Sequence, residues 1–227
     1  MRLLVSIFCA LVFCLCLTGG AWGDSVAIQN ASFETTNPLV ASCAGPETCL
    51  FNFGPIPGWS TAGAGSFEPS SSFFSLPLPD GNIVAYTNGG GISQILAGTS
   101  LLANSIYTLS VDVGRRFDVL AANYSISLLD GQNVFCTTSG SNGSFAAGTF
   151  VDITLTCATG SSVPSGFLGI TMSGDGRQID FDNVRLDVVP TSTPEPSVLV
   201  LMLTTLSVVG LLFARSRRNH PLQVASS

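Results

Sequence analysis

Lysine is absent from this chain of 227 residues, and the single histidine, His220, lies near the C-terminus. Only 10% of the residues are charged, and all eight basic residues are arginines. Nucleic-acid binding requires lysine and arginine to neutralise phosphates, so the composition argues against a nucleic-acid partner. General-base catalysis at neutral pH commonly uses histidine or a lysine of lowered pKa, and the central part of the chain has neither.

Sustained helical periodicity is also missing from the central part of the chain. The sequence contains 24 glycines and 12 prolines, a composition typical of a β protein with many turns. Hydrophobic and polar residues alternate in several segments, which predicts strands with one buried face. The alternation shifts phase near Asn183, which predicts a β-bulge, and Asp130-Gly131 predicts a hairpin turn. The predicted strands cover residues 107–113, 124–128, 151–157, 168–172 and 179–188, with shorter strands over 83–86 and 91–96.

The N-terminal 23 residues have the features of a secretory signal peptide. Arg2 precedes an uncharged run over residues 3–17, and Ala21 and Gly23 place small residues at the −3 and −1 positions of a cleavage site. We therefore predict export through the general secretion machinery and cleavage by signal peptidase. An uncleaved membrane anchor is the alternative.

The C-terminal part contains a second uncharged run, followed by a basic tail. A helix of about 1.5 Å per residue makes residues 198–214 a short membrane span. The arginines after it would hold residues 215–227 on the cytoplasmic side. Residues 190–197 form a Pro/Thr-rich linker. The predicted exported domain is then residues 24–189.

At the C-terminus, Pro194-Glu195-Pro196 precedes the hydrophobic run, and Arg215, Arg217 and Arg218 follow it. This order of motifs resembles the PEP-CTERM sorting signal of Gram-negative bacteria. The resemblance implies an exosortase as partner. It also implies an inner-membrane precursor facing the periplasm, then transfer to the cell surface or extracellular matrix.

Four cysteines remain in the predicted exported domain. An even number in an oxidising compartment favours disulfides, with three possible connectivities. We favour Cys43–Cys49 and Cys136–Cys157. Zinc is the alternative, but no histidine accompanies the four thiols and no C-x-x-C pair occurs.

Five short motifs recur along the predicted exported domain, at residues 30–34, 56–59, 93–96, 107–114 and 180–186. Their order resembles that of galactose-binding-like jelly rolls, a fold shared by many carbohydrate-binding modules, and the resemblance implies an all-β jelly-roll sandwich. The family's functions vary, so the fold does not determine a ligand.

The same resemblance implies a structural calcium ion where the first and last strands meet. Glu34 and Asp182 match the acidic positions of the first and last motifs, and carboxylates are suitable calcium ligands. Asp180 is either a third ligand or an outward-facing residue. The alternative is that these are solvated carboxylates at strand ends.

Sugar binding requires aromatic rings and nearby polar groups. Trp59 is a candidate, although it can equally anchor the core. Tyr86 and Asn88 precede a glycine run that forms either a binding loop or a tight turn. Arg115 and Arg116 form either an anion site or an ion pair with Asp118 or another acid.

Catalytic motifs are not evident in the sequence. The chain has no G-x-S-x-G motif, and the predicted exported domain has no histidine to activate a nucleophile. We therefore predict a non-enzymatic exported protein that binds extracellular polysaccharide or has a structural role, with a structural calcium ion as its one possible cofactor. A glycan hydrolase that uses paired carboxylates is the alternative.

Overall fold

The computed structural model describes residues 23–42, 49–191, 202, 204–210, 212 and 215. Up to Pro190 these residues form strands, turns and one short 3-10 helix, Asn142–Ser144. The strands are β1 Asp24–Ser25, β2 Ala41–Ser42, β3 Leu50–Phe53, β4 Ser60–Glu68, β5 Val84–Ser100, β6 Ser105–Arg115, β7 Asn123–Asp130, β8 Asn133–Ser141, β9 Thr149–Ala158, β10 Phe167–Gly174 and β11 Gln178–Pro190.

The strands form an antiparallel sandwich, so the predicted all-β, jelly-roll-like fold is confirmed. One layer contains β9, β6, β11 and the first half of β5 in hydrogen-bonded order. The other layer contains the second half of β5, then β10, β7 and β8. Strand β4 pairs with both halves of β5. Strand β3 pairs with the C-terminal part of β4, and β2 pairs with β3. Strand β1 pairs with β11.

Strand β5 passes from one layer to the other through a glycine-rich bend. Gly89 has a φ of 86°, and Gly63 on the paired strand has a φ of 58°. A β-carbon at Gly90 would collide with the carbonyl oxygen of Ala62, so only glycine allows this close approach. The prediction of two separate short strands over residues 83–86 and 91–96 was therefore wrong. Both segments belong to the single strand β5, and the glycines between them form a bend in that strand rather than a loop.

The main core lies between the two layers and confirms the predicted alternation. Tyr107, Leu109, Val111 and Val113 of β6 are buried against residues of β7 and β10 such as Ile170. Burial of aliphatic and aromatic side chains at about 25 cal/mol per Å² is the dominant stabilising contribution here.

Strand β11 contains the predicted bulge. Its register to β6 shifts between Asp182 and Arg185, and Asn183 has a φ of 50°. Before the bulge, Ile179 and Phe181 belong to the main core. Because side chains alternate along a strand, Asp180 and Asp182 lie on the opposite face of this layer.

The opposite face of this layer is covered by an aromatic cluster, which positions the site. The segment between β4 and β5 places Phe73 and Phe74 against Phe67, and Phe74 lies 4.5 Å from Phe150 between ring centroids. Backbone hydrogen bonds hold the segment, from Ser75 N to the Gly148 carbonyl and from Phe117 N to the Phe73 carbonyl. Asp180 and Asp182 of β11 are therefore buried rather than solvated.

The predicted Cys136–Cys157 disulfide is confirmed and joins β8 to β9, with Cα atoms 6.3 Å apart. These strands are consecutive in sequence but belong to different layers, so the bond connects the two layers of the sandwich. Cys49 is also disulfide-bonded. Its predicted partner, Cys43, lies outside the described residues.

The C-terminal part is a separate unit, beginning at Thr191. Among its described residues, Met202, 204–210, Leu212 and Arg215 are helical, whereas Thr191 is not. Among the residues that the structure describes, no helix combines the length and hydrophobicity needed to span a membrane. Of the helix predicted to span the membrane over residues 198–214, residues 198–201, 203, 211, 213 and 214 lie outside the described residues. Several predicted segments lie outside the described residues: residues 1–22 of the signal peptide predicted over 1–23, residues 192–197 of the linker, and the basic tail after Arg215.

Candidate functional site

A cavity of about 190 Å³ lies beside the aromatic cluster. Three aromatic rings, two amide side chains and one guanidinium line it, which combines apolar walls with a few hydrogen-bonding groups. The lining residues are Phe51, Phe67, Tyr86, Asn88, Arg116 and Gln178.

Neighbouring strands bring these residues together through their registers. Phe51 of β3 lies opposite Phe67 of β4, and Asn88 of β5 lies opposite Gln178 of β11. Gly65, opposite Tyr86, permits the close packing of β3 on β4. A β-carbon at Gly65 would collide with the carbonyl oxygen of Asn52, which itself accepts a hydrogen bond from Tyr86 Oη at 3.4 Å.

Asp180 is a buried carboxyl group directly behind this cavity. It is 1% exposed, and its register partners are Tyr86 on β5 and Gly114 on β6. Its Oδ1 accepts a hydrogen bond of 2.8 Å from Gln178 Nε2. Both Tyr86 and Gln178 line the cavity, so Asp180 lies next to two of the lining residues.

Burial raises the pKa of Asp180 to about 7, because desolvation disfavours the carboxylate. The Gln178 hydrogen bond and the positive charge of Arg116 act in the opposite direction, whereas the negative charge of Asp118 raises the pKa further. The pKa of Tyr86 is also raised, first by burial and then by the nearby Asp180. A carboxyl group with a pKa near neutrality can both donate and accept a proton at physiological pH.

The ligand-binding residues predicted from the sequence separate into two groups. Tyr86, Asn88 and Arg116 line the same cavity, and Arg116 also forms the ion pair with Asp118 that was its predicted alternative. Trp59 lines a different, open groove of about 780 Å³. It is 5% exposed there, and its Nε1 donates to the Asn30 carbonyl, which corresponds to the core-anchoring alternative.

Arg115 points away from the cavity, although it is adjacent to Arg116 in sequence. Its Nη1 donates to the carbonyl oxygens of Gly143 and Phe145 at 2.9 and 2.7 Å. The two arginines therefore do not form a joint anion site.

Glu34 and Asp182, the predicted calcium ligands, hold the segment between β4 and β5. Glu34 Oε1 accepts hydrogen bonds from the backbone of Asn82 and Ile83, and Asp182 Oδ2 accepts one from Asp80 N. Within the described part of the chain, no group of three or more His, Cys, Asp or Glu side chains could hold a metal ion. Both carboxylates thus accept hydrogen bonds from backbone N–H groups, and calcium binding stays a prediction.

Sequence reasoning missed Gln178 and Phe51 as site residues and treated Asp180 only as a metal ligand or an outward-facing residue. Asp180 lies between two core residues of a strand, so its face appeared solvated. The available signal was the aromatic-rich stretch over residues 67–74, which is long enough to cover that face.

The chain belongs to the HpiC1-like family, whose model is described as HpiC1 cyclase and matches residues 24–187. The matched range contains the whole cavity and Asp180. A search of curated proteins finds no significant match.

Solved structures of cyclases are similar to this chain. A cyclase from Fischerella sp. TAU is 26% identical, with a TM-score of 0.63, and the match covers 76% of this chain and all of that one. A cyclase from the same source, in complex with 4-(1H-indol-3-yl)butan-2-one, is 25% identical over 75% of this chain and all of that one, with a TM-score of 0.60. The Stig cyclase FisC, at 24% identity and a TM-score of 0.63 over 75% of this chain and all of that one, supports the fold alone.

These findings correct the function predicted from the sequence. Membership of a cyclase family overturns the prediction of a non-enzymatic carbohydrate-binding or structural protein, and also the alternative of a glycan hydrolase. The identification as a PEP-CTERM protein with a galactose-binding-like domain was likewise wrong, since the matching family is a different one. Apart from Arg215, the residues Pro194, Glu195, Pro196, Arg217 and Arg218 of that motif lie outside the described residues. The sequence misled because jelly rolls with unrelated activities share the same strand motifs.

Proposed function

We propose that this protein is a cyclase that closes a ring in an indole-derived substrate, with Asp180 as the proton donor. The observation that carries the proposal is a buried carboxyl group whose hydrogen-bond partner and cross-strand neighbour both line an aromatic cavity. The family description supports the reaction class. The indole compound bound by the cyclase at 25% identity supports the substrate class.

The cavity lining suits a flat aromatic molecule with a hydrogen-bonding ring nitrogen. Phe51, Phe67 and Tyr86 offer ring faces and edges for an indole. Asn88 is exposed at the cavity and offers both an amide donor and an acceptor.

The proposed reaction is an isomerisation that needs no other reactant. Asp180 transfers its proton to the bound substrate, directly or through one water molecule, and leaves a substrate cation. The π electrons of a double bond in the same molecule then attack the cationic carbon and form the ring bond. A proton lost from the ring product returns to the Asp180 carboxylate, so the product has the same molecular formula as the substrate.

The test is incubation of the purified protein with a panel of 3-alkenylindoles. We expect at least one to give a product of unchanged mass and altered chromatographic retention, with a new ring carbon–carbon bond by NMR. Asp180→Asn, which keeps the shape but has no acidic proton, should lower the rate about 10²–10⁴-fold.

The matched control is Asp187→Asn, which changes an exposed carboxyl group on the same strand and should keep the wild-type rate. Full cyclisation by Asp180→Asn would show that another group supplies the proton. No isomer from any indole of the panel would contradict the proposed substrate class.

We also propose that the folded domain works outside the cytoplasm. The Cys136–Cys157 bond and the disulfide of Cys49 support this, because disulfides persist in oxidising compartments. Fractionation of the native cells with thiol labelling tests it. Recovery of the protein in the cytoplasm with free thiols would contradict the proposal.

A further inference from the structure

Arg116 is held in a fixed position on the wall of the cavity. Its Nε and Nη2 donate to the two carboxylate oxygens of Asp118 at 2.8 and 2.7 Å, and its Nη1 donates to Gln178 Oε1 at 2.8 Å. Its guanidinium carbon lies 4.4 Å from the ring centroid of Phe73 and 5.4 Å from that of Phe67. A bidentate ion pair combined with two cation–π contacts fixes the plane of the guanidinium.

These hydrogen bonds leave part of the guanidinium without an acceptor. An arginine side chain has five N–H groups. Within the described part of the chain, partners exist for the one on Nε, for one of the two on Nη1 and for one of the two on Nη2. The side chain is only 11% exposed. Because a buried N–H group without an acceptor costs free energy, the remaining two favour a ligand that brings an acceptor.

Gln178 adds a further donor to the same wall. Its Oε1 must face Arg116, because a guanidinium has only donors. One N–H group of its Nε2 donates to Asp180 Oδ1 at 2.8 Å, and the other has no acceptor among the residues that the structure describes. Arg116 and Gln178 both line the cavity, so the wall that they form has N–H groups to spare.

The charges around Arg116 determine which kind of acceptor suits it. Asp118 already balances the guanidinium through the bidentate ion pair, and the chain as a whole carries a formal net charge of −6. A ligand carboxylate placed against Arg116 would lie close to the Asp118 carboxylate and be repelled by it. A carbonyl oxygen accepts the same hydrogen bonds without bringing a second negative charge.

We propose that Arg116 selects an uncharged carbonyl compound as substrate. The spare N–H groups of Arg116 and Gln178 bind the carbonyl oxygen, while the rings of Phe51, Phe67 and Tyr86 hold the aromatic part of the molecule. The inference rests on the proposed function for the indole part of the substrate and adds a carbonyl group in its side chain. Arg116 is thus a specificity-determining residue.

Ligands of equal shape test the inference by binding alone. The first, 3-(indol-3-yl)propanamide, is neutral and has a carbonyl oxygen. The second, 3-(indol-3-yl)propanoate, is charged, and the third, 3-(3-methylbutyl)indole, has no acceptor. Their dissociation constants are measured with the whole folded protein by NMR titration. The wild type should bind the propanamide about tenfold more tightly than the propanoate, and tighter binding of the propanoate would overturn the inference.

Arg116→Met removes the spare donors of the guanidinium and keeps an unbranched side chain. It should weaken binding of the propanamide about tenfold, the value of one hydrogen bond to a charged donor. Binding of 3-(3-methylbutyl)indole should stay within about twofold, because this ligand makes no such bond. Comparing the two ligands in one variant separates the lost hydrogen bond from any change in the fold. Equal effects on both ligands would overturn the inference.

Arg115→Met is the matched control, since it removes the same charge from the adjacent position. Arg115 Nη1 donates to the carbonyl oxygens of Gly143 and Phe145, away from the cavity. The variant should leave the ratio of the propanamide and 3-(3-methylbutyl)indole dissociation constants unchanged. A change in this ratio equal to that of Arg116→Met would show a general effect of charge, and would overturn the inference.

Asp118→Asn tests the charge balance at a side chain that is 48% exposed. The variant keeps an oxygen for Arg116 and removes the negative charge, so the affinity for the propanoate should rise about tenfold relative to the propanamide. A merely structural role of Asp118 would not change this preference. An unchanged preference would therefore contradict the proposed selection of an uncharged acceptor.

The binding and turnover experiments fail separately. If the ligands bind as expected but no 3-alkenylindole is converted, the proposed function fails and the carbonyl site stands. If 3-alkenylindoles are cyclised but Arg116→Met does not distinguish the propanamide from 3-(3-methylbutyl)indole, the inference fails and the proposed function stands. Absence of measurable binding by all of these ligands would also overturn the inference.

Discussion

Gly114 of β6 lies directly opposite Asp180 of β11, and a β-carbon at residue 114 would lie 3.1 Å from the Asp180 β-carbon. The same added carbon would lie 2.7 Å from Cε1 of Phe150. The absence of a side chain at this position therefore provides the space in which the carboxyl group and the aromatic cluster meet.

Gly114→Ala should accordingly destabilise the domain and impair the site together. Overpacking of this kind costs about 1–3 kcal/mol, and displacement of Asp180 should reduce cyclisation more than it reduces substrate affinity. Urea unfolding and steady-state kinetics measure the two effects. Gly160→Ala is the control, because nothing lies within 4 Å of a β-carbon there. Equal effects of the two variants would contradict the close approach.

The buried aspartates predict how stability depends on pH. The pKa values of Asp180 and Asp182 are raised from 3.8 to about 7 and about 8. The folded state thus binds these protons more tightly than the unfolded state does. Their contribution is fully present below about pH 4 and is lost as the pH rises through the folded-state values.

Comparison of the wild type with Asp180→Asn isolates one of these groups. The free energy of unfolding of the wild type, relative to the variant, should decrease between about pH 4 and pH 7, by at most ~1.4 kcal/mol per pH unit. Urea denaturation over this range measures it. A difference that stays constant with pH would show that Asp180 titrates normally.

The Cys136–Cys157 disulfide should stabilise the sandwich by linking its two layers. Its loop has a sequence separation of 21 residues, and loss of such a bond usually costs about 2–4 kcal/mol. Cys136→Ala, Cys157→Ala and the double variant should lose the same amount, because each removes the same cross-link. Additive losses in the double variant would show that side-chain packing, not the bond, is measured.

Glu34 should determine the rigidity of the segment that covers the site. Its Oε1 accepts hydrogen bonds of 2.9 and 2.8 Å from the amides of Asn82 and Ile83. Glu34→Ala should cost about 1–3 kcal/mol and speed hydrogen exchange at both amides. Glu68→Ala, at an exposed position of β4, should change neither quantity. Unaltered exchange at Ile83 in Glu34→Ala would contradict the proposed anchoring.

Much of the fold was predictable because it depends on local patterns. The alternation in β6, β7 and β10 identified the buried residues, and the phase shift near Asn183 identified the bulge. In β9 it did so only in part, since Leu155 and Cys157 are buried but Val151, in phase with them, is exposed. The hairpin at Asp130-Gly131 was equally local, with a φ of 61° at Gly131. Strand β5 was misjudged because a glycine run looks the same in a loop and in a bent strand.

The site was less predictable, since its residues come from five separate segments. Tyr86, Asn88 and Arg116 were candidates, but no spacing in the sequence connects them to Gln178 or Asp180. The identification of the function went wrong for the same reason: targeting-like ends and jelly-roll motifs are local, whereas the catalytic environment is not.

The sequence by itself determined an all-β sandwich, its main core and the cysteines of its inter-layer disulfide, because periodicity and turn residues act over a few neighbouring positions. Only the tertiary structure decided that the outer face of β11 is covered by Phe67, Phe73 and Phe74. That cover removes water from Asp180, and desolvation raises the pKa of a carboxyl group that would otherwise be an ordinary surface acid.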